Sequence, residues 1–301
     1  MPSPLTARFG AVVTAMVTPF DDRGALDLPG AVALARWLVA HGSDGLVVGG
    51  STGEGTALED TEKADLFRAV AEAVEVPVLA GTGTADTRHS IALGELAAEA
   101  GVDGVLVVTP YYSRPPQEGL FQHFSAVARA TDLPVLLYDI PVRSGRQIDH
   151  DTILRLAREV PNIVGVKSAT GDVAGIARLV ADAPEGFEVY SGDDALTLPV
   201  VAVGGVGVIS VIGHWAGVEL GKLIADLVRG DLEGAQKRNA RLQESYDFLS
   251  TERYPNPLPA KAACRVLGLP SGQCRLPLGA AGPELDEEAA GILARLEGGR
   301  G

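Results

Sequence analysis

The feature that most constrains the fold of this sequence is a strand-and-turn pattern that returns along the chain at a nearly constant interval. The segment 42–48 reads GSDGLVV and returns at 101–107 as GVDGVLV, and VPVLA at 76–80 returns at 133–137 as LPVLL. One further strand-like run fits into each interval, so a single strand–helix unit takes about 29 residues. Counted from a first strand at 11–17, the eighth strand falls near residue 214, close to the strand-like run 206–211.

Eight such units predict a (β/α)8 barrel, the TIM barrel fold, in which parallel strands alternate with helices. The predicted strands cover residues 11–17, 45–49, 76–80, 104–108, 135–138, 163–167, 188–191 and 206–210. The alternation then stops, and helical segments follow at 215–229, 232–250, 259–267 and 284–297. We therefore expect a barrel over residues 1–211 that carries the active site. Residues 212–301 are expected to form a C-terminal helical appendage that includes the last barrel helix.

Composition excludes several classes of function. The formal net charge is −14, and no basic cluster follows a phosphate backbone, which argues against nucleic acid or an anionic membrane surface as a partner. No apolar stretch is long enough to span a bilayer, and the N-terminus lacks a signal-peptide core, so a cytoplasmic protein is expected. Cys264 and Cys274, the two cysteines, fit neither a disulfide framework nor a zinc pattern.

Lys167 stands at the end of the predicted sixth strand, where the run 162–167 reads NIVGVK. Catalytic side chains of such barrels lie at the carboxyl ends of the strands. Such a lysine either directs its ammonium group out to solvent or, where burial lowers its pKa by about 3 units, becomes a nucleophilic amine. Apolar neighbours in the strand favour the second role. The other four lysines lie in mixed polar stretches typical of helix surfaces: Lys63, Lys222, Lys237 and Lys261.

Other strand ends are predicted to meet Lys167 at the same mouth. The second strand continues into GGSTGE at 49–54, whose backbone amides and hydroxyls suit a small carboxylate. The fifth strand ends at Tyr138 and leads to Arg143, which provide a proton-transferring phenol and a carboxylate-binding guanidinium group. Each residue alone also fits a structural role, such as a rim aromatic or a surface ion pair. Together they favour imine chemistry on a ketone.

These motifs resemble those of the dihydrodipicolinate synthase and N-acetylneuraminate lyase family, the pyruvate-dependent class I aldolases. The motifs are GSTGE at 50–54, YYSRP at 111–115, YDIP at 138–141, GVK at 165–167, SGDD at 191–194 and GVIS at 207–210. The resemblance extends from TAMVTPF at 14–20 to NPLPAK at 256–261, nearly the whole chain. It implies a Schiff-base-forming lyase whose only covalent partner is pyruvate itself, with no other cofactor and no metal.

The resemblance also implies roles for individual residues. Lys167 forms the imine with pyruvate, and Tyr138 transfers the proton. Ser51 and Thr52 hold the pyruvate carboxylate. The backbone near two further residues closes the pyruvate pocket: Gly192 and Ile209.

Within the family, Arg143 is similar to the arginine that in synthases binds the carboxylate of aspartate semialdehyde, on the route to diaminopimelate and lysine. Relatives that act on sugar-acid aldehydes share the pyruvate half of the site and remain the alternative. Tyr112 matches a tyrosine that synthases insert into a neighbouring subunit's site, which completes a relay with Tyr138 and Ser51. The resemblance therefore implies at least a dimer, usually a homotetramer built as a dimer of dimers.

The positions that match the inhibitory lysine site of sensitive synthases carry an unusual set of residues. They are Asp60, Lys63 and His89, so that an additional cation replaces a histidine and a glutamate is missing. Insensitivity to lysine is therefore expected.

Three other classes of protein fit the sequence less well. A metal-dependent barrel enzyme needs converging strand-end ligands, but the five histidines mostly fall in or beside predicted helices. A phosphate- or flavin-binding barrel is suggested by the glycines of 204–207, yet these precede the last strand and predict close packing at the barrel bottom. A non-catalytic relative is expected to have lost Lys167 or Tyr138, and both are present.

Overall fold

The computed structural model describes residues 2–249 and 251–298, and its centre is a closed barrel of eight parallel strands. Each strand pairs with the next along the chain, and the first pairs with the last. The strands are β1 Val12–Ala15, β2 Gly45–Val48, β3 Val78–Gly81, β4 Gly104–Val108, β5 Val135–Asp139, β6 Ile163–Ser168, β7 Glu188–Ser191 and β8 Gly207–Ser210. The predicted (β/α)8 barrel is confirmed.

Helices surround the barrel and continue beyond it. Those up to the last barrel helix are α1 Leu28–Ala40, α2 Asp60–Ala71, α3 Thr87–Glu99, α4 Gln117–Arg129, α5 Pro141–Ser144, α6 His150–Glu159, α7 Val173–Asp182, α8 Thr197–Ala202 and α9 Gly213–Val228. Three more follow: α10 Leu232–Phe248, α11 Leu258–Val266 and α12 Pro283–Gly298. Helix α10 packs against α9, and α11 packs against α12. No helix in the described ranges is long and apolar enough to cross a membrane.

The strands are buried on both faces, which explains their continuous apolar runs. One set of side chains fills the barrel interior, and the alternate set packs beneath the helices. In β6, Val166 belongs to the outer layer, so the side chain of the next residue, Lys167, points into the barrel. Lys167 also pairs in register with Tyr138 of β5, which lies in the interior cluster. Strand geometry thus places the amine beside the phenol.

The glycines that precede β8 lie where backbones approach closely. A Cβ atom on Gly207 would come within 2.1 Å of the Ala11 carbonyl oxygen, and one on Gly205 within 2.6 Å of a Val200 methyl group. These contacts confirm the predicted close packing at the amino-terminal end of the barrel.

Two of the four lysines assigned to helix surfaces are buried, so that assignment was wrong for Lys63 and Lys261. Lys261, in α11, is fully buried: its Nζ lies 2.6 Å from Glu54 Oε1 and 2.9 Å from the carbonyl oxygen of Gln273. The partner carboxylate is distant in sequence, so the spacing of polar residues in α11 gave no sign of it. Lys222 and Lys237 have exposed side chains, as expected.

The buried pair between Lys261 and Glu54 gives a prediction about stability. Lys261→Ala is expected to lower the free energy of unfolding by about 3–5 kcal/mol, because it leaves a buried carboxylate without its cation. Denaturant unfolding followed by circular dichroism measures the loss, and Lys237→Ala, at an exposed ion pair, serves as the control. Equal unfolding curves for the two variants would contradict the prediction.

Candidate active site

Lys167 lies at the carboxyl end of β6 with only 4% of its surface exposed. Its Nζ is 4.2 Å from the centre of the Tyr138 ring. Burial lowers the pKa of the lysine to about 8; the nearby Arg143 adds to this effect and the carboxylate of Asp194 opposes it. With that pKa, about one amine in ten is neutral at pH 7, against fewer than about one in a thousand for a free lysine. The site therefore holds an amine able to act as a nucleophile.

Tyr138 places its phenol against the second βα loop. Its hydroxyl lies close enough to the side chain of Ser51 for the two to interact, and the ring is buried. Burial raises the pKa of Tyr138 to about 12, although Arg143 and Ser51 pull it in the opposite direction. The phenol therefore stays protonated through the neutral range. A group that donates a proton and then takes it back must start in this protonated form.

The loop that follows β2 is tightly folded and carries Ser51 and Thr52. Gly49 adopts a φ of 64°, and a Cβ atom on Gly55 would come within 2.1 Å of the Gly49 carbonyl oxygen. Thr52 is buried, and its Oγ1 accepts a hydrogen bond of 3.0 Å from Asn256 Nδ2. The loop thus presents two hydroxyls at the barrel mouth in fixed positions.

The loop ends at Glu54, whose φ of 55° is in the left-handed region that favours glycine. A non-glycine residue keeps such a backbone only where its surroundings hold it. Here the carboxylate is held on both oxygens: by Lys261 Nζ on one and by the backbone N–H of Arg275, at 2.8 Å, on the other. Both contacts come from the C-terminal part of the chain, which therefore fixes the loop.

Arg143 lies in the short helix α5, exposed at the mouth. Its Nη2 donates a 3.0 Å hydrogen bond to the backbone carbonyl oxygen of Asn256. The guanidinium group is close enough to both Tyr138 and Lys167 to lower their pKa values. A carboxylate bound to Arg143 would therefore lie beside the reactive amine.

The two residues expected to close the pocket lie on neighbouring strand ends. Gly192 follows β7, and its N–H donates a 2.7 Å hydrogen bond to the carbonyl oxygen of Ser168 at the end of β6. Ile209 lies in β8, buried in the interior cluster that also contains Tyr138. Gly192 is thus held at the end of β7 next to β6, and Ile209 lies inside the barrel on β8.

Tyr112 is the one predicted site residue that the single chain does not bring to the others. Its side chain is 95% exposed, so it does not reach the buried Tyr138, and its φ of 72° is in the left-handed region. Val142, next to Arg143, is also largely exposed. A role for Tyr112 in the relay therefore needs a second subunit and stays a prediction.

Two residues of the mouth were missed as site candidates, Asp194 and Asn256. The buried Asp194 accepts hydrogen bonds from Ser210 Oγ and, at 2.8 Å, from the N–H of Val211, so it joins the ends of β7 and β8. Burial raises its pKa to about 6. Its place in the SGDD motif was an available signal. Asn256 lies in a proline-rich turn before α11, and nothing in the local sequence connects it with Thr52.

One histidine is fully buried and has structural partners on both ring nitrogens. His214 is fully buried: its Nε2 accepts a 3.1 Å hydrogen bond from the N–H of Val17, and its Nδ1 donates to the carbonyl oxygen of Val211. Burial lowers its pKa to about 4, so the ring is neutral. Within residues 2–249 and 251–298 no three His, Cys, Asp or Glu side chains form a group that could hold a metal ion.

Comparison with known proteins gives consistent matches over almost the whole chain. The family model for the dihydrodipicolinate synthetase family matches residues 8–296. A 4-hydroxy-tetrahydrodipicolinate synthase from Moorella thermoacetica is 50% identical, over 95% of this chain and 98% of the relative. A crystal structure of a dihydrodipicolinate synthase from Bacillus anthracis superposes with a TM-score of 0.91 at 43% identity, covering 95% of this chain and 98% of that one. A lysine-bound dihydrodipicolinate synthase structure from Cyanidioschyzon merolae superposes with a TM-score of 0.93 at 40% identity, covering 96% of this chain and 98% of that one.

Proposed function

This chain belongs to the dihydrodipicolinate synthetase family, and from that membership we propose that it has 4-hydroxy-tetrahydrodipicolinate synthase activity. The reaction condenses pyruvate with L-aspartate semialdehyde in the synthesis of diaminopimelate and lysine. The observation that carries the proposal is the buried Lys167 amine, with a pKa of about 8, whose Nζ lies 4.2 Å from the centre of the Tyr138 ring. A relative that carries this name at 50% identity supports the choice of aldehyde.

In the first half of the reaction the neutral Lys167 amine attacks the ketone carbon of pyruvate. The carbinolamine loses water when the Tyr138 phenol donates a proton to the departing hydroxyl, which leaves an imine. Ser51 and Thr52 hold the pyruvate carboxylate, and Gly192 and Ile209 close the pocket around it. The Tyr138 phenolate then takes a proton from the methyl group, which gives the enamine, because the protonated imine nitrogen accepts the electron pair.

In the second half the enamine carbon attacks the aldehyde of aspartate semialdehyde and forms the new carbon–carbon bond. Arg143 binds the carboxylate of this substrate, which orients the aldehyde toward the enamine. The aldehyde oxygen takes a proton from Tyr138. The substrate's own amino group then attacks the imine carbon and displaces Lys167, so the cyclic product leaves and the free amine is regenerated.

Tyr112 is proposed to enter the site of a neighbouring subunit and to complete the proton relay with Tyr138 and Ser51. Its nearly complete exposure, together with the exposed Val142 at the same mouth, supports an interface there. A homotetramer, built as a dimer of dimers, is the assembly that we propose. Residues 1–211 and 212–301 remain our proposed division into barrel and C-terminal helices; the boundary lies between β8 and α9.

Arg143→Ala tests the choice of aldehyde. We expect kcat/KM for aspartate semialdehyde to fall by about 10- to 100-fold, because a charge-assisted hydrogen bond to the substrate carboxylate is lost. Trapping of the pyruvate imine with borohydride should change little. Arg178→Ala, on the exposed surface of α7, is the control. Faster turnover of sugar-acid aldehydes than of aspartate semialdehyde by the unaltered enzyme would contradict the proposed substrate.

Insensitivity to lysine is a separate prediction, based on the cluster of Asp60, Lys63 and His89. His89 Nε2 lies 3.0 Å from Asp60, and the buried Lys63 Nζ lies 4.0 Å from the same carboxylate, so two basic groups already share it. An added lysine would bring a further cation. We expect the initial rate to be unchanged by millimolar L-lysine, whereas half-inhibition by submillimolar lysine would overturn this prediction.

A further inference from the structure

Asn256 contacts residues from both halves of the proposed site. It lies in the turn before α11, and only 7% of its surface is exposed. Its side-chain Nδ2 donates to Thr52 Oγ1 at 3.0 Å, and its backbone carbonyl oxygen accepts from Arg143 Nη2, also at 3.0 Å. Thr52 lies in the loop after β2, which is proposed to bind the pyruvate carboxylate. Arg143 is proposed to bind the carboxylate of the aldehyde substrate. A single residue from the C-terminal part of the chain thus joins the two.

The first hydrogen bond has a direction that matters for binding. A threonine hydroxyl has one proton to donate and two lone pairs to accept with. Because Thr52 Oγ1 accepts from the Asn256 amide, its own proton remains available for another acceptor. A hydroxyl oriented in this way can donate to a carboxylate, which has only acceptors.

The second hydrogen bond fixes the plane of a guanidinium group. Arg143 has five N–H donors in a rigid fork, and the bond to the Asn256 carbonyl oxygen uses one of them. An otherwise exposed arginine is thereby held in one orientation, with donors left for a carboxylate. This bond involves the backbone of Asn256 and does not depend on the side chain at that position.

The turn that carries Asn256 is itself anchored to the same loop. Lys261, one turn into α11, forms the buried pair with Glu54, two residues after Thr52. The segment 256–261 therefore contacts the segment 52–54 at both ends. Asn256 is held in place by contacts that do not involve its own side chain.

We propose that Asn256 is a positioning residue for both substrates: its side-chain amide orients Thr52 for pyruvate, and its backbone carbonyl orients Arg143 for the aldehyde. This inference rests on the proposed function. It predicts unequal effects on the binding of the two substrates, which the loss of a purely structural residue would not produce. Removing the side chain should affect the pyruvate half alone, because the backbone carbonyl oxygen remains for Arg143.

The test compares Asn256→Ala with the unaltered enzyme. We expect the KM for pyruvate, and the pyruvate concentration that gives half-maximal borohydride trapping, to rise about tenfold on loss of one hydrogen bond to the loop. The KM for aspartate semialdehyde should stay within about twofold because the backbone bond to Arg143 is kept. An equal rise in both KM values, or no change in either, overturns the inference.

Asn162→Ala is the matched control. Asn162 Nδ2 also donates to backbone carbonyl oxygens, among them that of Ala128 at 2.8 Å, but it lies before β6 at the opposite end of the barrel. Its loss should lower stability and leave the pyruvate dependence of trapping unchanged. If Asn256→Ala does not fold, Asn256→Ser replaces it, because the shorter side chain also leaves Thr52 without its donor.

A double-mutant cycle with Thr52→Val decides whether Asn256 acts through the threonine hydroxyl. In the Thr52→Val background, Asn256→Ala should raise the pyruvate KM by no more than about twofold further, because the hydroxyl it orients is already absent. Full additivity overturns the inference. Trapping with pyruvate alone separates the two proposals: no trapping in the unaltered enzyme rejects the proposed function, whereas normal trapping by Asn256→Ala rejects only this inference.

Discussion

Lys167→Arg is expected to lower turnover by at least about 10⁴-fold, the largest effect of any substitution considered, because it removes the nucleophile of a covalent mechanism. Arginine keeps the charge and much of the length of lysine, but its guanidinium group stays protonated in proteins and cannot form an imine. Borohydride reduction with pyruvate, followed by peptide mapping, should modify the peptide that contains Lys167 and no peptide of the variant.

Lys222→Arg is the control for this experiment, since Lys222 is an exposed lysine of α9 paired with Glu219. It should be trapped as efficiently as the unaltered protein. A reduced pyruvate adduct on any other lysine, or an adduct in Lys167→Arg, would be incompatible with the mechanism proposed above.

The pKa of Lys167 also predicts how trapping depends on pH. The attacking form is the neutral amine, so the rate of imine formation should rise with pH through the value of about 8 and level off above it. For a lysine with an ordinary pKa the rise would continue to about pH 10.4. A rate that rises without levelling off up to about pH 10 would show that burial does not tune this amine.

Tyr138→Phe is expected to lower kcat by about 10²- to 10⁴-fold, the usual contribution of a positioned proton donor. The substitution keeps the ring next to Lys167 and removes only the hydroxyl, which lies near Ser51. Steady-state rates give kcat, and NMR observation of deuterium exchange into the pyruvate methyl group gives the rate of enamine formation. We expect both to fall.

Tyr190→Phe is a matched control for Tyr138→Phe. Tyr190 is also buried inside the barrel, but its hydroxyl donates to Glu188 Oε2 at 3.1 Å, away from the mouth. Its loss should leave methyl exchange unchanged. Retention of kcat within about fivefold by Tyr138→Phe would remove the phenol from the proton-transfer role.

Much of the fold follows from local patterns, because a parallel barrel places strong demands on each unit. Strands that are buried on both faces need continuous apolar runs, and right-handed crossovers need helices between them. The repeats at 42–48 and 101–107 and at 76–80 and 133–137, with a unit length of about 29 residues, were therefore sufficient to predict eight strands. The observed bounds differ from the predicted ones by only a few residues at each end. Lys167 could be recognised for the same reason, because it is a cationic residue at the end of a continuous apolar run.

The contacts that support the mouth could not be predicted from local patterns. Lys261 lies in a stretch that is typical of a helix surface, yet the docking of α11 places Glu54 beside it and buries both. Asn256 lies in an ordinary turn, and only the docking of α11 brings it to Thr52. Such pairs depend on where distant segments meet, and the residues themselves carry no periodic signal.

The sequence by itself determined the (β/α)8 barrel, the strand end that carries Lys167, and the residues expected around it, because side-chain alternation and unit length are local properties. Only the tertiary structure decided how far the pKa of Lys167 falls, which hydroxyl meets Tyr138, and that the C-terminal turn at Asn256 belongs to the mouth. The physical reason is that desolvation and hydrogen bonding depend on the distances between side chains, and closure of the barrel sets those distances.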